Sequence, residues 1–348
     1  MRIYWLDNAK ALGIILIIFG HSIPHSYLSH YIYSFHVPLF FFISGYLYKA
    51  GKYNFREFLY KKIRTLIIPY LCFAIISYLY WFFVVRNFSL SGTALTLDTT
   101  KPLIGILYGI GSGGFEIPMN VALWYLPCLF VVEIIFYFVK KPYTLFAFAA
   151  LGLLAKFMPF RMPWGLDVAL TAVVFYGVGH YYKDSWISYK FLPIILVTSL
   201  AFCFLNEPID MNNLVYGNPI FFYIAAFSGI ILFLNLSKVV KNYGFIQYIG
   251  SNTVILIGLV GITWSCLIGL TYFLFNIKIT EFSTLFGLVE TILEILFTVP
   301  AIYIINRWLP FIIGRPYEPA PAVGVNEKGK TKKPFIRLLK IGISGKSH

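Results

Sequence analysis

Apolar runs long enough to cross a hydrocarbon layer recur along this chain, interrupted by short groups of Pro, Gly, Asn and charged residues. A membrane helix needs about 20 such residues to span a hydrocarbon core of roughly 30 Å. Ten runs qualify, near 7–23, 31–48, 66–85, 121–139, 143–158, 166–182, 190–205, 218–236, 253–275 and 283–306. The chain is 59% hydrophobic and 12% charged, with mean hydropathy +0.77, which excludes an ordinary soluble domain. The fold class expected is all-α: a polytopic membrane protein with about ten transmembrane helices in one bundle over residues 1–314.

Lysine and arginine orient that bundle, because cytoplasmic loops hold their excess. With the N-terminus inside, Arg86, Lys101, Lys156, Arg161 and Lys278 fall outside, and 23 of the 28 basic residues fall inside. Ten spans with both termini cytoplasmic give this split, and an odd count scrambles it. The net charge of +14 is therefore mostly a topology signal, and with no soluble basic domain it implies no nucleic-acid partner. Residues 315–348 carry KGKTKK and a second basic cluster without an apolar core. They read as a disordered cytoplasmic tail that touches anionic lipid. The first run is not a cleavable signal, since polar GHSIPHS follows it. Cys72, Cys128, Cys203 and Cys266 sit in separate runs, without a disulfide framework or a metal motif.

Ionisable groups inside such runs are costly and mark function. Lys10 and His21 lie eleven residues apart in LDNAKALGIILIIFGH. Eleven residues of α-helix return to nearly the same face and advance about 16 Å, so a cation and an imidazole look into one interior at two depths. Asp7 shares that face, either as a cap at the helix start or as the partner of Lys10. His21, His25, His30 and His36 cluster at the outer end of the first hairpin. Imidazole suits proton transfer near neutral pH. A metal site is disfavoured there, because no Asp, Glu or Cys stands among them and His25 and His30 read as loop residues. His36 opens the second run, where it either approaches His21 or serves as an interface histidine.

Lys61, Lys62 and Arg64, in FREFLYKKIRTLIIPY, anchor the inner loop or seat phosphates, with Arg giving forked bonds and Lys a point charge. Glu290 and Glu294 lie four apart in the last run and Glu133 lies in the fourth. Carboxyls this deep must be neutralised or paired, and they either line a polar pathway to substrate or bind neighbouring helices. Gly109, Gly111 and Gly114 match G-x-G-x-x-G, but with no preceding strand they read as a flexible or re-entrant loop, not a nucleotide site.

These residues resemble the acyltransferase-3 family of integral membrane acyltransferases, in particular its fucose 4-O-acetylase-like branch. The resemblance rests on a basic residue ten positions before a histidine, Lys10 and His21; on FHVPLFFFISGYL, with His36, Ser44 and Gly45; on Lys62 and Arg64 followed by Pro69 and Tyr70; and on LWYLPCLF, with Trp124. These motifs cover mainly the first 135 residues. Two positions depart from the pattern. Leu129 stands where many members carry glutamate, with Glu133 one turn later, and Val260 stands where many carry histidine.

The resemblance implies ten spans in the inner (plasma) membrane and an acyl-CoA co-substrate, most simply acetyl-CoA, with no bound cofactor. It implies a carbohydrate hydroxyl as acceptor, reached from the opposite side. His21 would be the catalytic base, with Lys10, Asp7 and His36 beside it. Lys61, Lys62 and Arg64 would hold the CoA phosphates, and Trp124, Glu133, Glu290 and Glu294 would hold substrate. A transporter or flippase for a lipid-linked saccharide is the alternative from another class, but the halves show no internal repeat. A glycosyltransferase would need outward acids, and the longest outer loop offers only Asp98 and Glu116.

Overall fold

A computed structural model describes residues 3–23, 26–88, 98–182, 189–241, 243–276 and 283–316. Regular secondary structure among the described residues is all helical, with no strand beyond an isolated bridge between Asp210 and Val215. Twelve helices follow in order: α1 Tyr4–Ser22, α2 Tyr27–Leu47, α3 Phe55–Val85, α4 Lys101–Tyr108, α5 Tyr125–Phe138, α6 Thr144–Ala155, α7 Leu166–Tyr181, α8 Leu192–Phe204, α9 Pro219–Val239, α10 Gly244–Ser251, α11 Thr253–Phe275 and α12 Thr284–Trp308. Each of the ten apolar runs falls on one of them, and α4 and α10 are short additions. Among the described residues, α3, the segment Val121–Phe138 that includes α5, α9, α11 and α12 are long and apolar enough to cross a membrane. The basic tail predicted from residue 315 lies, from 317 onward, outside the described residues.

Helix α12 shows why the chain is a membrane protein. Its buried face carries Glu290, Thr291, Glu294 and Thr298, while Leu285, Leu288, Val289, Ile292, Leu293 and Leu296 are exposed. A helix in water would hide those leucines and expose the acids, so this arrangement needs an apolar solvent.

Close helix crossings rest on residues without a side chain. A Cβ on Gly45 of α2 would strike the Tyr176 carbonyl of α7, and one on Gly179 would strike the Phe42 carbonyl, so α2 and α7 meet backbone to backbone. Small residues permit such contacts, and dispersion between the helices then replaces the hydrophobic drive that lipid does not supply. Near the start of α1, Asn8 is fully buried and its amide nitrogen donates to the Ser237 and Val240 carbonyls at 3.3 and 3.0 Å. It thereby satisfies carbonyls that the end of α9 leaves without a helical partner.

Two stretches read as loops are helical instead. FREFLYKK starts α3 because Asn54 and Glu57 form a reciprocal capping box, which satisfies two amides of the first turn. A π turn follows at Ile63–Ile67, where the Ile68 N–H reaches the Ile63 carbonyl. Likewise Ser26 and Ser29 cap α2 at Tyr27, four residues earlier than the hydropathy suggested, so His30 is a helical residue packed edge-on to Phe204 at 5.6 Å.

Candidate active site

His21 sits in the last turn of α1, and the turn into α2 brings Tyr33 and His36 opposite it. The Tyr33 hydroxyl is hydrogen-bonded to His21 Nδ1, and the two rings meet edge to face at 5.5 Å. Tyr33 in turn meets the His36 ring at 4.9 Å, so a tyrosine stands between the two imidazoles. His36 is buried, and its Nδ1 lies 2.8 Å from the Ile32 carbonyl. A carbonyl only accepts, so Nδ1 carries the proton and Nε2 is left as an acceptor.

Three cavities converge on His21, which is exposed to them although it lies among packed helices. The largest, about 760 Å³, is bounded by Gly20, Ile23, Ser26, Tyr27, Ser29, His30 and Tyr33 on one side and by Pro208, Ile209 and Asp210 on the other. A second, about 40 Å³, includes His36, Phe40, Trp124 and Tyr125. The third, about 130 Å³, includes Ser22, Asn120, Trp264 and Glu294. Trp124 and His36 thus share a cavity with His21, as does Glu294.

Around the third cavity the polar groups form a chain. Ser22 donates to Glu290 Oε2, and Thr263 donates to Glu294 Oε1 at 2.9 Å. Asn120 is held by its amide nitrogen, which donates to the Ile257 and Gly258 carbonyls at 2.9 and 2.8 Å, while its Oδ1 has no hydrogen-bond partner. Glu290 Oε1 also lacks one. Buried polar atoms without partners are rare, and here two of them lie within one cluster near His21.

The inner residues are organised differently. Asp7 lies in the first turn of α1 and pairs with Lys10 at 2.8 Å, and no side chain at Ile3 caps the helix. Lys62 Nζ lies 2.7 Å from Oε1 and 2.6 Å from Oε2 of Glu133, which also accepts from the Tyr176 hydroxyl at 3.5 Å. Lys61 donates to the Tyr53 hydroxyl at 3.2 Å. Hydrogen bonds from Lys52 and Lys61 hold that exposed phenol below its ordinary range. Arg64 is half-buried on the π turn. Glu133 is absent from the cavities around His21, so the structure joins it to the lysines.

The glycine-rich stretch is a fixed loop. Gly109, Gly111, Gly113 and Gly114 have φ of +74°, +66°, +62° and +88°, a region open to glycine at no steric cost. Arg161 donates to Ser112 Oγ at 3.1 Å and pairs with Asp167 at 2.7 Å, which ties the loop to α7. Among the described residues no group of three His, Cys, Asp or Glu is placed to hold a metal ion, and His25 lies outside them.

Sequence reasoning missed Tyr33, Ser22, Asn120 and Asp210. Tyr33 was within reach, since it stands three residues before His36 on a helix and therefore on a neighbouring position of the same face. Asp210 lies far along the chain in a connecting loop, with no spacing signal to tie it to His21.

The family model described as Acyltransferase domain matches residues 3–313. No curated protein and no solved structure matches the chain.

Proposed function

Because the chain belongs to the acyltransferase-3 family of membrane acyltransferases, we propose that it moves an acyl group, most simply acetyl, from cytoplasmic acyl-CoA to a sugar hydroxyl of an extracytoplasmic or lipid-linked cell-surface glycan. Within the family we assign it to the fucose 4-O-acetylase-like branch, on the motifs around His21, His36 and Trp124. The observation that carries the reading is the position of His21 at the junction of three cavities, about 16 Å along α1 from Lys10. The excess of inner Lys and Arg orients the bundle with Lys62 and Arg64 toward the cytoplasm and the large cavity outward.

With His21 Nδ1 hydrogen-bonded to Tyr33, Nε2 is the ring nitrogen assigned to take the proton of an acceptor hydroxyl. The hydroxyl oxygen then bonds to the thioester carbonyl carbon, the C–S bond breaks, and His21 returns the proton to the departing CoA sulfur. Tyr33 holds the orientation of the ring, as an orienting group does for a general base. Lys61, Lys62 and Arg64 supply cations for the CoA phosphates, and Lys10, balanced by Asp7, lies on α1 with His21. Trp124 and Glu294 border the reacting position.

The test uses purified protein in lipid nanodiscs with acetyl-labelled acetyl-CoA and oligosaccharide from the cell envelope. Base-labile label on the sugar is expected. Label that never leaves CoA, together with movement of a lipid-linked saccharide across proteoliposomes, would replace this reading with a flippase.

A further inference from the structure

The large cavity beside His21 carries a charge pattern that no motif announced. Its far wall is the loop between α8 and α9, and that loop is built to hold one shape. Asn206 donates to the Tyr216 carbonyl at 3.0 Å and accepts the Asn218 N–H at 2.7 Å. Asp210 and Val215 exchange backbone hydrogen bonds of 3.0 and 2.9 Å. The Asp210 side chain accepts the Asn213 N–H at 3.1 Å and the Asn213 amide at 2.7 Å. Among the described residues Asp210 has no ion pair, so neutral donors hold its charge at the cavity wall. It lies near enough to His21 and Tyr33 for its charge to act on both. Among the described residues the lining contains no lysine or arginine.

We propose that Asp210 determines which acceptors this cavity takes: uncharged sugars are admitted and anionic ones, uronates above all, are turned away. The proposal rests on the acyl-transfer reading and deepens it. An ionised carboxylate only accepts hydrogen bonds, so sugar hydroxyls satisfy its remaining lone pairs with strong charge-assisted bonds. A sugar carboxylate brings no donor to Asp210 and is repelled by its charge. Among the described residues of the lining, the cations such a sugar could find are the imidazoles of His21 and His30. Pairing with His21 would hold that ring protonated and remove the base. The exposed ring of Tyr27 and the half-buried ring of Tyr33 complete a wall suited to the apolar face of a pyranose.

The experiment measures acetyl transfer in nanodiscs to methyl glycosides of glucose, galactose and mannose, each as the neutral sugar and as its 6-uronate. The readout is the ratio of kcat/KM for neutral over anionic acceptor, which does not depend on the fraction of protein folded. The wild type should favour the neutral form by at least about tenfold. D210N keeps an oxygen for the Asn213 N–H and should bring the ratio to within about threefold of unity. N213A, which disturbs the loop but not its charge, should leave the preference in place. Equal use of both forms by the wild type, or an unchanged ratio in D210N, overturns the proposal while leaving acyl transfer intact. Transfer to none of the six would instead overturn the acyl-transfer reading, and this inference with it.

Discussion

The two ends of α1 solve the same problem in opposite ways. At the inner end each buried charge has an opposite charge against it, Asp7 on Lys10 and, on the neighbouring helices, Glu133 on Lys62. At the outer end His21 faces empty space on three sides, with only a tyrosine hydroxyl attached. A charge drawn into an apolar surrounding is costly unless an opposite charge compensates it. An imidazole can be neutral, so it tolerates a site kept open for a reacting molecule. The difference has a consequence for donor binding: a CoA phosphate reaching Lys62 must compete with Glu133, which is already seated there.

The comparison is most exposed at His21. His21→Ala should lower acetyl transfer about 10²- to 10⁴-fold. Thermal unfolding should hardly move, because the ring borders cavities and anchors little packing. Full transfer by that variant would remove the distinction between the two ends. Lys10→Ala should come next, since it leaves Asp7 without its cation. A buried pair broken on one side costs about 3 to 5 kcal/mol, and the partial exposure of Lys10 puts the loss below that range. Lys10→Arg keeps a cation and should keep most of the activity and stability. Unfolding temperatures of the two variants separate these outcomes.

Joint replacement of Lys62 and Arg64 by glutamine should raise the Kd for acyl-CoA at least about tenfold, given about 1.5 to 3 kcal/mol for a charge-assisted contact. A short acyl-pantetheine thioester, lacking the CoA phosphates, should lose much less. An equal loss for both donors would make the inner cations structural. Tyr33→Phe removes the hydrogen bond that holds the His21 ring and should lower kcat by up to about tenfold with Kd for acyl-CoA unchanged. The smallest effect should have the opposite sign. Glu133→Gln releases Lys62 from its competitor, so acyl-CoA should bind a few-fold more tightly while the protein unfolds at lower temperature. Weaker binding in that variant would mean that Lys62 holds the helices together and does not meet the donor.

The sequence by itself determined the helices and the first candidates. The ten apolar runs became helices, five of them long and apolar enough to cross a membrane, because a backbone in an apolar surrounding must satisfy its own hydrogen bonds. Lys10 and His21 could be placed on one face because helical periodicity is a local property. Where side chains compete with hydropathy at a terminus, as Asn54 with Glu57 and Ser26 with Ser29 do, the helix began earlier than apolarity alone implied. Only the tertiary structure decided which distant groups meet. Glu133 goes to Lys62, 71 residues away in the chain, and Glu290 to Ser22, 268 residues away. Asp210 reaches the cavity of His21 through a loop whose shape depends on Asn206, Asn213 and Tyr216. Spacing encodes which residues share a helix face, whereas helix packing sets the partner of a buried charge through backbone contacts such as those at Gly45 and Gly179.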